Sequence, residues 1–197
     1  RQCSSEQIWE VTKKRYKKPR TLTYRRFKNT DAKAVAEIYN DSLITLYKPT
    51  LNRLDSEFCE GLCSGLRYQT EYRYVIEENS KIIGYFKITT SDNKNYTVDF
   101  NYSNGYEIDF DNIMYLVKRE IIKRQREFKL FVKLKNYINT NESQKTYFEN
   151  KGFKCRNTKI LLTKDFFKQV KVFSKEERFS LAGGLNNSPT FKVMDSE

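Results

Sequence analysis

The stretch Tyr147–Phe153, YFENKGF, joins an amphipathic helix to a strand through one glycine, and any architecture for this chain must accommodate that junction. Asn139, with Glu142 three residues on, is spaced as a capping box that opens the helix. Tyr147 and Phe148 give the helix its apolar weight, and Gly152 stands where a helix ends in a left-handed turn. A strand is expected from Phe153, so helix and sheet layers must pack together.

Upstream, period-two and period-3.6 segments alternate. Thr21–Lys28 (TLTYRRFK) is expected as a strand, and Thr30 as the cap of a helix carrying Val35, Ile38, Tyr39, Leu43 and Leu46 until Pro49 closes it. Leu54, Phe58, Leu62 and Leu66 recur every four residues behind Asp55 and Ser56, which predicts a second helix of core contacts; Tyr47 could line a groove between the two. Thr70–Glu78 and Lys81–Thr90 read as strands joined at Asn79-Ser80, and Tyr96–Tyr102 (YTVDFNY) as a third, for which an antiparallel meander is the economical arrangement. A helix follows from Asn112 to about Gln125 with Ile113, Leu116, Val117 and Ile121 on one face. Phe128–Leu134 (FKLFVKL) is a strand, and beyond Phe153 two short strands, Phe153–Arg156 and Lys159–Thr163, are expected about a turn at Asn157-Thr158.

Thirty-seven basic against 25 acidic residues, a net charge of +12, favour an acidic or phosphorylated partner. Six of the eight residues Lys13–Arg20 are basic; residues 1–20 are expected as a solvated arm or linker, with Ile8 and Trp9 docking on the core, residues 21–175 as one domain, and 176–197 as a flexible tail. The start at Arg1 suggests a piece cut from a longer, multidomain chain. No run of 18 apolar residues is present, so no membrane span is expected. Four irregularly spaced cysteines suit a reducing compartment, so an intracellular, cytoplasmic location is expected. Cys59 and Cys63 lie four apart on the expected second helix and read as core thiols; no metal site is expected. The absence of histidine removes Ser-His-Asp and Cys-His chemistry and leaves Asp, Glu, Tyr, Lys and water to move protons.

Asn141–Phe153, NESQKTYFENKGF, resembles the last helix of the GNAT acetyltransferases, N-x-x-A-x-x-F-Y-E-x-x-G-F, with Asn141, Glu149, Gly152 and Phe153 in register. The order of elements over roughly Thr21–Phe166 is also that of the family. The resemblance implies a GNAT-like α/β fold, with a mixed, largely antiparallel sheet flanked by about four helices. It implies as well an acyl-CoA-dependent N-acyltransferase acting on an amine. Two departures stand out: the family's tyrosine falls on Phe148, with Tyr147 displaced by one, and Gln144 replaces a small alanine. On a helix one residue turns the side chain by about 100°.

By the same resemblance, cofactor contacts are implied at Gly105, Asn112, Asn141, Gln144 and Phe148, and catalytic roles at Asp99 or Glu107 as the base, with water as the other candidate, and at Tyr147 as the acid. The family's glycine-rich R/Q-x-x-G-x-G/A junction holds the coenzyme A pyrophosphate on backbone amides; here only Gly105 remains, and Glu107, Asp109 and Asp111 flank it. Acetyl-CoA or another acyl-CoA is therefore expected to bind weakly or not at all. Two readings stay open: an acyltransferase, or a catalytically silent GNAT-like module whose basic, tyrosine-rich surface holds a nucleic acid or an acidic protein.

Overall fold

The computed structural model describes residues 3–12, 15, 16, 18, 19, 22–59, 69–106 and 108–162. Its strands are β1 (Cys3–Val11), β2 (Thr23–Arg26), β3 (Thr70–Glu78), β4 (Lys81–Thr90), β5 (Asn95–Tyr102), β6 (Lys129–Lys135) and β7 (Lys154–Leu162). The helices are α1 (Ala32–Ser42), α2 (Lys48–Leu51), α3 (Phe110–Ile122) and α4 (Asn141–Asn150). The strands form one seven-stranded sheet in the order β2-β3-β4-β5-β6-β1-β7. All neighbours are antiparallel except β5 and β6. The fold class is therefore the expected one. No helix among the described residues is long and apolar enough to cross a membrane.

The meander forms because its turn and its alternation agree. Asn79 and Ser80 both take positive φ, 50° and 64°, as a two-residue hairpin turn requires, and β3 pairs with β4 on either side of it. Alternate side chains then separate into two layers. Phe86, Ile88, Val98, Phe100, Leu130 and Val132 pack against Ile113, Leu116, Val117 and Ile121 of α3 and Phe148 of α4. On the opposite face Val75 and Tyr85 meet Val35, Ala36 and Tyr39 of α1.

Gly152 ends α4 at φ +70°, and its N–H bonds to Glu149 O (2.9 Å) while that of Phe153 bonds to Phe148 O (3.0 Å). These are the two bonds of a Schellman cap. The rings of Phe148 and Phe153, 5.5 Å apart, supply its hydrophobic contact.

Several expectations are corrected. Residues 3–11, read as part of a solvated arm, form a strand inserted between β6 and β7. Trp9 and Val11 are buried in the core, while on the other face Glu6 pairs with Lys133 (3.0 Å) and Glu10 with Arg156. Cross-strand charge pairing lets so polar a segment lie inside a sheet. With β1 in that place, residues 154–162 run as one strand along it in place of the expected hairpin. Ile8 pairs with Asn157 and Trp9 with Cys155, so the extra residue is absorbed in a bulge.

Thr30 does not cap α1: it lies inside a 3-10 turn, Asn29–Asp31, where the N–H of Lys28 donates to Asp31 at 2.8 Å, and the N-cap of α1 is Asp31. Asn139 does not cap α4, whose N-cap is Thr140; the Asn139 N–H instead donates to Ser42 O at 2.8 Å. Of the expected second helix the described residues show a 3-10 turn, Asp55–Glu57, while residues 60–68 lie outside the described set. Leu46 and Leu54, expected in the core, are 58% and 71% exposed. Cys63, Leu62, Leu66, Glu107 and the expected tail likewise lie outside the described residues.

Candidate functional site

β5 and β6 are hydrogen-bonded in parallel only from Asn95–Val98 against Lys129–Val132, yet β5 runs on to Tyr102 and β6 to Lys135. Past Val98 the two strands part and leave a wedge. The end of α1 closes one side of it: Leu43 bridges Ile138, Ile44 N–H donates to Tyr137 O (3.0 Å), and Asn104 Nδ2 donates to Asp41 O (2.9 Å). At the mouth lies a cavity of about 750 Å³, lined by Tyr102, Asn104, Tyr106, Ile108, Asp109, Phe110, Asn139, Thr140 and Ser143.

Inside the wedge Asp99 and Lys135 form an ion pair at 2.6 Å, with side-chain exposures of 20% and 5%. Burial pushes the Asp99 carboxyl up, but the Lys135 ammonium outweighs it and holds the group below the ordinary carboxylate range. Burial likewise draws the Lys135 amine down, against the pull of Asp99. An aspartate so paired is a weak base, which corrects the role expected for Asp99. Two residues along β5, the Asn101 side-chain oxygen is buried without a hydrogen-bond partner among the described residues.

The N-terminus of α3 is already filled. Asp109 is its N-cap, with Oδ1 accepting from the Asp111 N–H at 2.9 Å. Asp111 in turn accepts from the Tyr147 hydroxyl and lies 3.6 Å from Lys151 Nζ. Burial first, and the Asp111 carboxylate second, push the Tyr147 hydroxyl far above its usual range. Tyr147 thus fastens α4 to α3 and does not line the cavity, so it cannot be the acid expected there. A pyrophosphate at this helix end would displace Asp109 and meet its charge, so the residues present do not fit that half of coenzyme A.

The other implied contacts divide by burial. Phe148 is fully buried among Trp9, Tyr147 and Phe153, and Gln144, also buried, donates from Nε2 to Thr140 Oγ1 at 2.9 Å. Neither lines the cavity, nor do Asn112 and Asn141. A Cβ added at Gly105 meets nothing within 4 Å, so no close backbone approach requires glycine there.

Tyr102 is the side chain that sequence reasoning passed over. It lines the cavity beside Thr140, and burial raises its hydroxyl above the usual tyrosine range against the opposing pull of Thr140 and Gln144. Its only signal was its place at the end of an alternating strand, where every second residue is expected in the core.

No protein-family model and no curated protein matches the sequence significantly. Solved structures do match. A conserved protein of Staphylococcus epidermidis whose function is unknown aligns at TM-score 0.54 and 13% identity over 81% of this chain and 60% of its own. The PaiA N-acetyltransferase of Thermoplasma acidophilum, in complex with coenzyme A, aligns at TM-score 0.54 and 14% identity over 71% of this chain and 94% of its own. A tandem GNAT protein from the clavulanic acid biosynthesis pathway aligns at TM-score 0.51 and 10% identity over 83% of this chain and 55% of its own. The chain therefore spans less than two thirds of the first and last of these. At such identities the likeness shows the GNAT fold and leaves the chemistry to the residues.

Proposed function

We propose that this GNAT-fold chain is an acyl-CoA-dependent N-acyltransferase that holds its donor by the acyl-pantetheine arm, without a diphosphate clamp. The observation that carries this reading is the wedge, where a parallel pair bonded over four residue pairs parts and leaves β5 beside an open cavity. An extended, amide-bearing arm laid there can pair with a strand edge as an added strand would. The unpartnered Asn101 oxygen, an acceptor, belongs to the stretch of β5 past its last bond to β6.

Transfer to an amine needs the nitrogen held against the thioester carbonyl, then a proton for the sulfur as the C–S bond breaks. We assign the proton to Tyr102, because burial keeps it a neutral phenol at the cavity wall. With Asp99 paired to Lys135, the amine arrives neutral or gives its proton to water. The wedge gives no separate support to a nucleic-acid or acidic-protein partner.

The test follows coenzyme A release from millimolar acetyl-CoA across a panel of primary amines. Amine-dependent release is expected, and Tyr102→Phe should slow it by about 100-fold with donor affinity unchanged, as for loss of a general acid. Release in no member of the panel, or full turnover in Tyr102→Phe, would contradict the assignment.

A further inference from the structure

A second cavity, of about 600 Å³, lies at the other end of α3, between that helix, β2 and the pair Lys18 and Pro19. Helical rise puts it about 15 Å along the axis from the Asp109 cap, so it is separate from the wedge. The acid in its wall is already satisfied. Glu120, 4% exposed, accepts from Tyr24, from Tyr74 at 2.8 Å, from Lys123, and from Arg124 at 3.2 Å. Arg25 is likewise committed, to Asp31 at 2.7 Å and to Glu77 at 2.8 Å.

Three cations of the lining lack a carboxylate partner, Arg119 lying over the Tyr24 ring at 5.9 Å. Lys18, Arg26 and Arg119 reach no carboxylate among the described residues, so their charges converge on one space without an internal counter-ion. Leu22, Tyr115 and Leu116 give the same space an apolar side. The C-terminal end of α3 itself disfavours an anion, and Arg119 and Lys123 stand at that end to reverse the sign.

We propose that this cavity binds a small organic polyphosphate of nucleotide size. Guanidinium forks match phosphoryl oxygens in pairs, which favours phosphate over a single diffuse charge. The volume lies in the range of organic ligands and far exceeds one inorganic ion, and half-buried Tyr115 adds an aromatic side chain to the lining.

The probe is ATP, titrated by calorimetry into the whole chain at low salt, with inorganic triphosphate and adenosine as separate arms. ATP should bind saturably at one site, triphosphate more weakly, and adenosine not measurably. Because Arg26 and Arg119 are exposed, the double variant Arg26→Gln, Arg119→Gln should keep its melting temperature yet bind ATP at least tenfold more weakly and with a flatter salt dependence. Lys18→Gln provides the same test by a smaller change, a loss of about threefold. Acetyl-pantetheine, which lacks a nucleotide, should leave ATP binding intact. The proposal is overturned if ATP does not saturate at millimolar concentration, if the double variant binds it unchanged, or if acetyl-pantetheine displaces it one for one. Binding confined to long polyanions would overturn it equally.

Discussion

Replacing Asp99 by Asn removes one member of an ion pair whose nitrogen and oxygen stand 2.6 Å apart. The two partners are not equally hidden, since Lys135 keeps 5% of its side-chain exposure and Asp99 20%. Removing one member of a buried pair costs about 3–5 kcal/mol, because the charge left behind has lost both water and partner. In Asp99→Asn the stranded group is the more buried Lys135, with Lys133 beside it as a like charge, and a loss of about 3 kcal/mol is expected. In Lys135→Met the stranded carboxylate still has some solvent and the attraction of Lys133 and Lys87, and about 1–2 kcal/mol is expected. The double variant strands nothing, so its cost should fall short of the summed single costs by about 2 kcal/mol.

In a domain of this size Asp99→Asn should lower Tm by roughly 6–12 °C. Urea unfolding at pH 7, read as a shifted midpoint at constant slope, measures each variant. The pH dependence follows from the signs. A depressed Asp99 stabilises the fold above about pH 4 and loses that contribution as pH falls through its folded value. A depressed Lys135 does the reverse: its charged form opposes folding at neutral pH, and stability rises as pH climbs through the folded value toward about 10.4. Asp99→Asn should bring that rise to lower pH. Single variants each within about 0.5 kcal/mol of the parent, or strictly additive costs, would refute the buried pair.

Leu130→Ala, at a position 2% exposed in β6, should cost about 2–4 kcal/mol in the same urea assay, and an unchanged midpoint would displace β6 from the core. Gly152→Ala puts a Cβ at φ +70° and should cost about 1–2 kcal/mol even though the site has open space around it. Burial would raise the Glu120 carboxyl, but Lys123, Tyr24, Tyr74 and Arg124 bring it to about 2. Its contribution is therefore complete above about pH 4.3 and lost as pH falls toward 2, so Glu120→Gln should flatten that limb of an acid titration.

The meander, α3, β6 and the glycine-capped α4 were legible because each follows from a local rule: alternation, a 3.6-residue stripe, a left-handed cap. β1 was not. Its pairing depends on strands more than a hundred residues away, and its charged face is satisfied only by Lys133, Tyr137 and Arg156 once the sheet exists. The hairpin expected after Phe153 failed for the same reason, because β1 takes the place the second strand would have filled. Leu54 misled through spacing alone: it is 71% exposed, although Phe58 four residues on is buried. At the site, the crowding of carboxylates near α3 was readable and Asp109 indeed caps the helix. The pairings that disqualify Asp99 and Tyr147, and those that single out Tyr102, are contacts between elements and leave no mark on local sequence.

The central claim is that the wedge takes an acyl thioester by its pantetheine arm and that Asp109 denies the diphosphate a seat. Calorimetry comparing acetyl-CoA with acetyl-pantetheine, which lacks the nucleotide diphosphate, in the Arg26→Gln, Arg119→Gln chain tests it most directly. The account expects both to bind, weakly and within a few fold of each other. Acetyl-CoA binding 100-fold more tightly, about 2.7 kcal/mol of anchoring by the diphosphate, would contradict it, as would binding by neither.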